Sequence, residues 1–479
     1  MKPNIVVILA DDIGAWALGC AGNREIHTPH LDRLASEGVR FDNYYCTSPV
    51  CSPARATLLT GQIPSRHGIH DWIRSGNVGG ESIRYLEGQT TYVELLAQAG
   101  YVCGISGKWH LGDSATPHRG FSHWFVHQTG GGPYYNAPMI RDGVLYNEPG
   151  YITEAITDDA LAFLDQQQGS EQPFYLSIHY TAPHSPWVNN HPQKYVDMYA
   201  DCPFDSCPQE EPHPWTTPNA PWKGTAHDNL IGYYASVTAM DEQIGRVVAK
   251  LSELGVEGDT LVCFMSDNGF SCGQHGFWGK GNGTFPLNMY DTSVKVPAIF
   301  RQPGRVRPGL VSDALLSGYD FMPTLLAYAD IAYDGAELPG ASFLHLLSDE
   351  ADGVDVAGRE HVVVYDEYGP VRMVRSRSWK YIHRFPFGPH ELYNLVDDPG
   401  ECRNLVDDAL YAETIAAMKL QLDGWFMQYA DAAVDGTREA VYGFGQIARV
   451  GTGWRAFATI DEPLPKEPEP LADPLERGR

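Results

Sequence analysis

The first 330 residues alternate short apolar runs with longer segments in which apolar residues recur every three or four positions. Such short runs are typical of buried strands, and the longer repeats are typical of helices with one apolar face. Strands are predicted at 4–10, 101–106, 173–181 and 260–266. Helices are predicted at 28–39, 90–101, 152–167 and 229–255. This alternation predicts an α/β fold in which helices sandwich a large, mostly parallel mixed β-sheet.

The pattern changes after about residue 355. Three short segments, 360–368, 371–385 and 390–395, have the character of antiparallel strands, and a helix is predicted at 408–429. We therefore predict a catalytic α/β domain at 1–355 and a smaller α+β C-terminal subdomain at 356–479, with a short antiparallel sheet. Its last stretch, 461–479, is rich in proline and charge and is predicted to be an extended tail.

Composition narrows the class of protein. The chain has 479 residues, 43% of them hydrophobic and 20% charged, with a formal net charge of −26. So acidic a protein is not expected to bind nucleic acid or an anionic membrane surface. No apolar run is long enough to span a bilayer. If the substrate is an anion, its site has to be a local positive pocket.

The N-terminus and the cysteines bear on cellular location. The apolar run at 4–10 is too short and wrongly flanked for a secretory leader. We therefore expect a cytoplasmic protein, or a periplasmic or secreted one if a leader has been removed. Cys202 and Cys207 form either a local disulfide or two free loop thiols, and their spacing leaves both interpretations open.

Oxygen-bearing side chains follow two of the predicted strands. Asp11 and Asp12 come directly after 4–10, and Asp267 and Asn268 come directly after 260–266. Ligands of parallel sheets bind beyond the carboxyl ends of the strands. Hard cations such as Ca²⁺ and Mg²⁺ prefer several oxygen ligands, and amide oxygens are acceptable among them. The two pairs therefore predict a site for a divalent metal.

Basic side chains follow other strands of the predicted sheet. Lys108 and His110 come after the strand at 101–106, and His184 comes after the strand at 173–181. Lys280 lies twelve residues beyond Asn268 in a Gly-rich segment. Together with a divalent metal, the charges of Arg55, Lys108 and Lys280 would outweigh those of the carboxylates and create a positive pocket. A tetrahedral ester anion is the expected ligand.

The stretch "CSPARATLLTG" begins at Cys51 and is read as the start of a helix. Its C-x-P-x-R pattern resembles the signature of the type I, formylglycine-dependent sulfatases of the alkaline-phosphatase-like superfamily. "PNIVVILADD", "GKWHLG", "PHSPW", "SDNG" and "WGKG" also resemble blocks of that family, in the same order. The C-terminal "HELYNLVDDPGECRNL" resembles the family's smaller subdomain, so the resemblance covers nearly the whole chain.

The resemblance implies that Cys51 is a precursor. In the family this cysteine is oxidised to Cα-formylglycine, whose aldehyde hydrates to a geminal diol. One hydroxyl attacks sulfur and the second later expels sulfate, a step for which a thiol or serine has no second hydroxyl. Pro53 and Arg55 would be read by the modifying partner, either a formylglycine-generating enzyme or an anaerobic sulfatase-maturating enzyme.

The same resemblance assigns the other residues. Asp11, Asp12, Asp267, Asn268 and the oxygen of modified Cys51 would hold one Ca²⁺, with Mg²⁺ or Mn²⁺ as alternatives. The remaining implied roles are catalytic: Arg55 fixes the formylglycine and a metal ligand, Lys108 and Lys280 bind sulfate oxygens, His110 takes a proton from the diol, and His184 protonates the leaving alcohol. Lys295 in "SVKVP" is the competing assignment for Lys280.

The expected function is removal of sulfate from an O-sulfated carbohydrate. Tyr, Trp, His and Arg side chains in the loops 66–76 and 127–143 suit a sugar. Three alternatives remain: a phosphonate monoester or phosphodiester hydrolase of the same superfamily, an arylsulfatase acting on small phenolic sulfates, and a non-catalytic carbohydrate-binding relative. Asn268 favours a sulfatase, since histidine is common there among phosphodiester-cleaving relatives, but it does not decide.

Overall fold

The computed structural model describes residues 2–217, 224–348, 364–452, 455–459 and 461–462. Its strands are β1 (Asn4–Ala10), β2 (Val39–Tyr45), β3 (Val102–Gly107), β4 (His123–His127), β5 (Ala137–Arg141), β6 (Val144–Glu148), β7 (Phe174–His179), β8 (Thr260–Ser266), β9 (Ser271–Cys272), β10 (Trp278–Gly279), β11 (Lys295–Val296), β12 (Ala298–Arg301), β13 (Leu310–Ser317), β14 (Val364–Tyr368), β15 (Val371–Arg375), β16 (Trp379–Arg384) and β17 (Glu391–Asn394). Its α-helices are α1 (Pro29–Ser36), α2 (Cys51–Thr60), α3 (Pro64–His67), α4 (Tyr92–Gln98), α5 (Ile152–Gln166), α6 (Gln193–Val196), α7 (Ala226–Glu253), α8 (Asp291–Val294), α9 (Phe321–Tyr328) and α10 (Ala412–Tyr429).

Most strands of the first part of the chain form one 11-stranded mixed sheet, and β9 and β10 pair separately. Its order is β11-β2-β12-β8-β1-β7-β3-β4-β5-β6, and β13 lies beside β2. The strands β8, β1, β7, β3 and β4 run parallel to one another, and antiparallel strands flank this centre on both sides. The predicted mixed sheet is therefore confirmed, with a parallel block at its centre.

Both faces of the central strand are apolar, which explains the unbroken hydrophobic run of β1. Successive side chains of a strand point to opposite faces of a sheet. Val7 and Leu9 belong to a core that includes α2, α4 and α9. Val6 and Ile8 belong to a second core that includes α1, α5 and α7. Helices thus cover the sheet on both faces, as the sequence predicts.

The C-terminal part contains a small antiparallel sheet of order β14-β15-β16-β17, with α10 packed against it. This matches the predicted α+β subdomain, although residues 409–411 form a 3₁₀ turn before the α-helix. Polar contacts join this sheet to the large domain. Glu367 binds Ser65, and Lys380 contacts Asp291 at 2.7 Å.

Some predictions fall on residues outside the described ranges. The boundary at 355–356 lies in one such gap, so it stays a prediction, as does nearly all of the Pro-rich tail. After α10 the chain returns to the large domain. There, Ile73 and Gln446 form an isolated parallel bridge.

The structure also bears on the cysteine pair and on membrane segments. Cys202 and Cys207 are both free thiols, which favours the second of the two interpretations left open by their spacing. Within the described residues, no helix combines the length and the apolar character needed to cross a bilayer.

Candidate active site

The two acidic pairs predicted to bind a metal lie side by side. β1 and β8 are parallel neighbours, with Ala10 opposite Ser266. The residues that follow these strands therefore meet at one edge of the sheet. Asp11, Asp12, Asp267 and Asn268 are all buried there, with at most 2% of any of them exposed.

Four potential ligands converge at this edge. One ligand atom each from Asp11, Asp12, Cys51 and Asp267 lies within 4.8 Å of the others. The amide nitrogen of Asn268 donates to Asp12 Oδ1 at 2.7 Å, while its Oδ1 has no hydrogen-bond partner among the described residues. Buried polar atoms are normally paired. An unpaired amide oxygen beside three carboxylates is a donor set that fits a hard divalent cation.

Cys51 is the first residue of α2 and lies inside this cluster. Its Sγ is 3.2 Å from Asp11 Oδ1 and 2.9 Å from Lys280 Nζ. Burial, and next the charge of Asp11, raises the pKa of the Cys51 thiol far above its ordinary value. An unmodified Cys51 would stay protonated at neutral pH, and a protonated thiol is a weak nucleophile.

Arg55 lies one helical turn beyond Cys51, on the same side of α2. Its Nε donates to Asp267 Oδ2 at 2.8 Å, and its Nη1 donates to the Lys108 carbonyl at 3.0 Å. The side chain is 2% exposed. Arg55 therefore ties α2 to the ends of both β8 and β3.

The two lysines contact different carboxylates of the cluster. Lys108 Nζ contacts Asp11 Oδ2, and Lys280 Nζ contacts Asp12 Oδ1. Burial alone would lower the pKa of Lys280, but the nearby negative charge, that of Asp12 above all, outweighs it and raises the pKa. Lys295, the competing assignment, lies in β11 opposite Tyr45. Of Lys280 and Lys295, it is Lys280 that contacts Asp12 and Cys51.

The two candidate histidines differ in environment. His110 is buried, and burial, followed by the charge of Lys108, lowers its pKa well below the ordinary value. Its Nε2 lies 3.0 Å from the Ile73 carbonyl, and a carbonyl only accepts, so Nε2 carries the proton. Nδ1 has no partner among the described residues and is left as the proton-accepting nitrogen.

His184 is more open, with 28% of its side chain exposed. Its Nδ1 donates to the Ser185 carbonyl at 2.7 Å. Its Nε2 lies 3.8 Å from Asp12 Oδ2. Nε2 is therefore the nitrogen of His184 that faces the cluster.

Two site residues have a positive φ, which the sequence does not predict. Asp12 has a φ of 69° and His110 has a φ of 54°. Few residues other than glycine adopt this left-handed region, and such strain collects at functional sites. At both positions it turns the chain sharply just after a central strand.

Sequence reasoning missed a serine that supports His110. Ser52 Oγ donates to the His110 carbonyl at 2.9 Å and accepts from the Ile73 N–H at 3.0 Å. Since Ile73 also accepts the His110 imidazole proton, the three residues form a closed arrangement beside Cys51. Ser52 is the second residue of C-x-P-x-R, and that position is the only signal that pointed to it.

The segment after α10 was also missed. Gln446 is fully buried. Its backbone N–H donates to the Trp72 carbonyl at 2.7 Å, and its backbone carbonyl accepts from the Arg74 N–H at 2.9 Å. Its side-chain oxygen accepts from His70 N–H at 2.9 Å. The C-terminal segment around Gln446 therefore fixes the position of residues 70–74, which include Ile73. His70 is itself fully buried, which excludes it from the sugar-facing residues suggested by the sequence of loop 66–76.

Comparison with known families identifies this arrangement. Residues 3–331 match the family model described as Sulfatase. The chain belongs to the sulfatase family. Residues 273–428 also match the model described as N-sulphoglucosamine sulphohydrolase, C-terminal. The family predicted from C-x-P-x-R and its accompanying blocks is therefore confirmed.

Individual relatives extend over most of the chain. An N-acetylglucosamine-6-O-sulfatase of Bacteroides thetaiotaomicron is 28% identical, over 90% of this chain and 87% of its own. An ulvan-active sulfatase of Formosa agariphila is 31% identical, over 85% of this chain and 77% of its own.

Solved structures share the fold. One, described in complex with its substrate D-glucosamine-2-N,6-O-disulfate, has a TM-score of 0.75 and 26% identity and covers 90% of this chain and 98% of its own. A phosphonate monoester hydrolase of Agrobacterium radiobacter has a TM-score of 0.67 with 20% identity, over 90% of this chain and 96% of its own. The latter likeness is one of fold alone. This protein is a sulfatase, an enzyme that hydrolyses sulfate esters.

Proposed function

We propose that this sulfatase removes sulfate from an O-sulfated carbohydrate and that residue 51 acts as Cα-formylglycine. The observation that carries the proposal is the position of Cys51. It begins α2 inside the acidic cluster and lies 2.9 Å from Lys280 Nζ. A nucleophile there would meet an anionic substrate among buried cations and at a helix N-terminus, both of which favour negative charge.

A divalent cation, Ca²⁺ in the first place with Mg²⁺ or Mn²⁺ as alternatives, would be held by Asp11, Asp12, Asp267, Asn268 and residue 51. When bound, it would supply Lewis-acid activation and neutralise charge on the sulfate. The cluster of buried oxygens and the unpaired Asn268 Oδ1 support this assignment.

The chain's own residues divide the remaining work. Lys108 and Lys280 are buried donors and would bind sulfate oxygens as negative charge builds up on them. Arg55 would hold residue 51 and Asp267 in register. One hydroxyl of the hydrated aldehyde at residue 51 would give its proton to a nearby carboxylate of the cluster, such as Asp11. Its oxygen then attacks sulfur, and the bond from sulfur to the alcohol oxygen breaks.

Proton transfers fall to the histidines. His184 Nε2 would protonate the departing alcohol oxygen, because a sugar alkoxide is a poor leaving group. His110 Nδ1 would then accept the proton of the second hydroxyl of residue 51, which allows sulfate to leave and the aldehyde to return. The tautomer imposed on His110 by the Ile73 carbonyl leaves Nδ1 free for this role.

Two considerations support a carbohydrate as the alcohol. Relatives over most of the chain carry the names of sugar sulfatases. Trp72 and Tyr135 are partly exposed in the two loops that the sequence assigns to sugar binding. The modifying partner would be a formylglycine-generating enzyme or an anaerobic sulfatase-maturating enzyme that acts on Cys51.

The test is product release from a defined panel. Protein with aldehyde at residue 51, verified by peptide mass, is assayed with sulfated mono- and disaccharides, an aryl sulfate and a phosphonate monoester. Cys51→Ala is the control for background. Faster release from one sugar sulfate than from the other esters is expected. Preference for the aryl sulfate would indicate an arylsulfatase, and preference for the phosphonate would overturn the proposed substrate class.

A further inference from the structure

Three consecutive glycines between β4 and β5 lie against histidine side chains. Gly130 faces His110, Gly131 faces His184, and Gly132 faces His127. The sequence marks this glycine-rich insertion only as a sugar-binding loop. The structure instead puts two of its glycines directly against the two histidines to which proton transfer is assigned above.

The contact at Gly130 leaves no room for a side chain. A Cβ at this position would lie 2.1 Å from His110 Cε1 and 2.3 Å from its Nε2. Such overlap forces a movement, which is inexpensive only if the contacted group is free to withdraw. His110 is not free, because its Nε2 donates to the Ile73 carbonyl and its own carbonyl accepts from Ser52 Oγ.

The contact at Gly131 is less severe. A Cβ there would lie 2.9 Å from His184 Nδ1 and 3.0 Å from its Cε1. Thr129 Oγ1 donates to the Gly131 carbonyl at 3.1 Å and so restrains the loop at this point. The partly exposed His184 would therefore be the group that moves, and it would lose its hydrogen bond to the Ser185 carbonyl.

Backbone conformation does not explain these glycines. None of the three has a φ in the left-handed region, so alanine is compatible with the backbone at each position. Gly132 makes the comparison sharp, since a Cβ there would meet its nearest neighbour, His127, at an ordinary 3.4 Å. What distinguishes Gly130 and Gly131 is the imidazole each of them touches.

We propose that Gly130 and Gly131 are positioning residues, whose missing side chains set the locations of His110 and His184 respectively. The proposal rests on the roles given to the two histidines in the proposed function. Displacement of a reacting group by about 1 Å can cost about 10²-fold in rate. Because the two histidines are assigned different proton transfers, the two substitutions should affect different steps of turnover.

The experiment compares Gly130→Ala, Gly131→Ala and Gly132→Ala on an aryl sulfate and on a sugar sulfate. We expect Gly130→Ala to lower kcat for both substrates by about 10²-fold. Gly131→Ala should lower kcat for the sugar sulfate at least about tenfold more than for the aryl sulfate, because a phenolate leaves without a proton donor. Gly132→Ala, the control in the same loop, should stay within about twofold of the wild type on the aryl sulfate, which carries no sugar.

A double-variant cycle isolates the link between Gly131 and His184. If Gly131 acts through this histidine, Gly131→Ala should have no further effect on kcat in a His184→Ala background. Equal losses in both backgrounds would overturn the proposal for Gly131. Equal losses for all three alanine variants on both substrates would overturn it for both positions, since that pattern indicates only a disturbed loop.

Imidazole NMR signals provide a readout that does not depend on the reaction. Gly130→Ala should shift the His110 resonances, and Gly131→Ala should shift those of His184. An unmoved histidine in its folded variant would overturn the proposal at that position. If Gly130→Ala does not fold, Gly131→Ala carries the test. Failure of the wild type to hydrolyse any sulfate ester would refute the proposed function, yet the NMR comparison would still decide the placement of the histidines.

Discussion

Substitution of Ser52 by alanine removes one hydroxyl with two buried backbone partners. The Ser52 Oγ donates to the His110 carbonyl at 2.9 Å and accepts from the Ile73 N–H at 3.0 Å. Ser52 itself is fully buried, so water does not readily replace it. The substitution leaves a donor and an acceptor unpaired beside residue 51 and loosens the backbone that orients the His110 ring.

The magnitude follows from these two groups. A buried polar group that loses its partner costs about 1–3 kcal/mol. Two such groups, after partial relaxation, should lower the free energy of unfolding by about 2–4 kcal/mol. Because His110 would also lose its fixed orientation, kcat should fall by about 10- to 100-fold.

The assay pairs urea unfolding with steady-state kinetics on protein whose aldehyde content at residue 51 has been measured. Ser48→Ala is the matched control. Ser48 is also fully buried, but its hydroxyl has no hydrogen-bond partner among the described residues, so its loss should change stability by less than about 1 kcal/mol. Equal effects of the two substitutions on stability and on kcat would refute the reasoning.

Three further predictions concern single side chains. His184→Ala should reduce kcat for a sugar sulfate by about 10²-fold or more, and for an aryl sulfate far less; equal losses would mean that His184 binds substrate and donates no proton. Lys380→Met leaves the buried carboxylate of Glu401 without its cation, whereas Asp291 keeps Arg375, and should cost about 3–5 kcal/mol in urea unfolding; a neutral result would show that the Lys380–Glu401 pair is dispensable. Burial raises the pKa of Asp71 from 3.8 to about 6, so its contribution is greatest when protonated and is lost as pH rises through 6. Stability relative to Asp71→Asn should therefore fall by about 1 kcal/mol between pH 5 and 7, and a pH-independent difference would contradict the raised pKa.

The strand ends were predictable because two rules act together. A buried parallel strand is visible as an unbroken apolar run, and its carboxyl end is where ligands bind. Asp11 and Asp267 follow two such runs, and β1 and β8 are neighbours in the sheet. Their proximity therefore follows from the pattern once the strand order is known. The strand order came from the structure, and the resemblance around Cys51 supplied the chemistry, which periodicity alone does not contain.

Other features depend on contacts that no local pattern records. The positive φ of His110 is imposed by tertiary structure, since such a conformation is uncommon for any residue other than glycine, even for histidine, which is among those enriched there. Ile73 supports His110 through its backbone, so its side-chain type carries no signal. Gln446 contacts residues 70–74, which include Ile73, from more than 360 residues away in the sequence. The sequence alone does not distinguish Gly130 from the glycines beside it, because the distinction depends on the contact with the His110 imidazole.

The measurement that tests the central claim most directly relates sulfate release to the chemical state of residue 51. Preparations with different fractions of aldehyde and thiol at Cys51, quantified by peptide mass, are assayed with the same sulfate ester. The rate should rise in proportion to the aldehyde fraction and vanish for protein that carries only the thiol. Equal rates in thiol-only and aldehyde-containing preparations would contradict the assignment of formylglycine as the nucleophile.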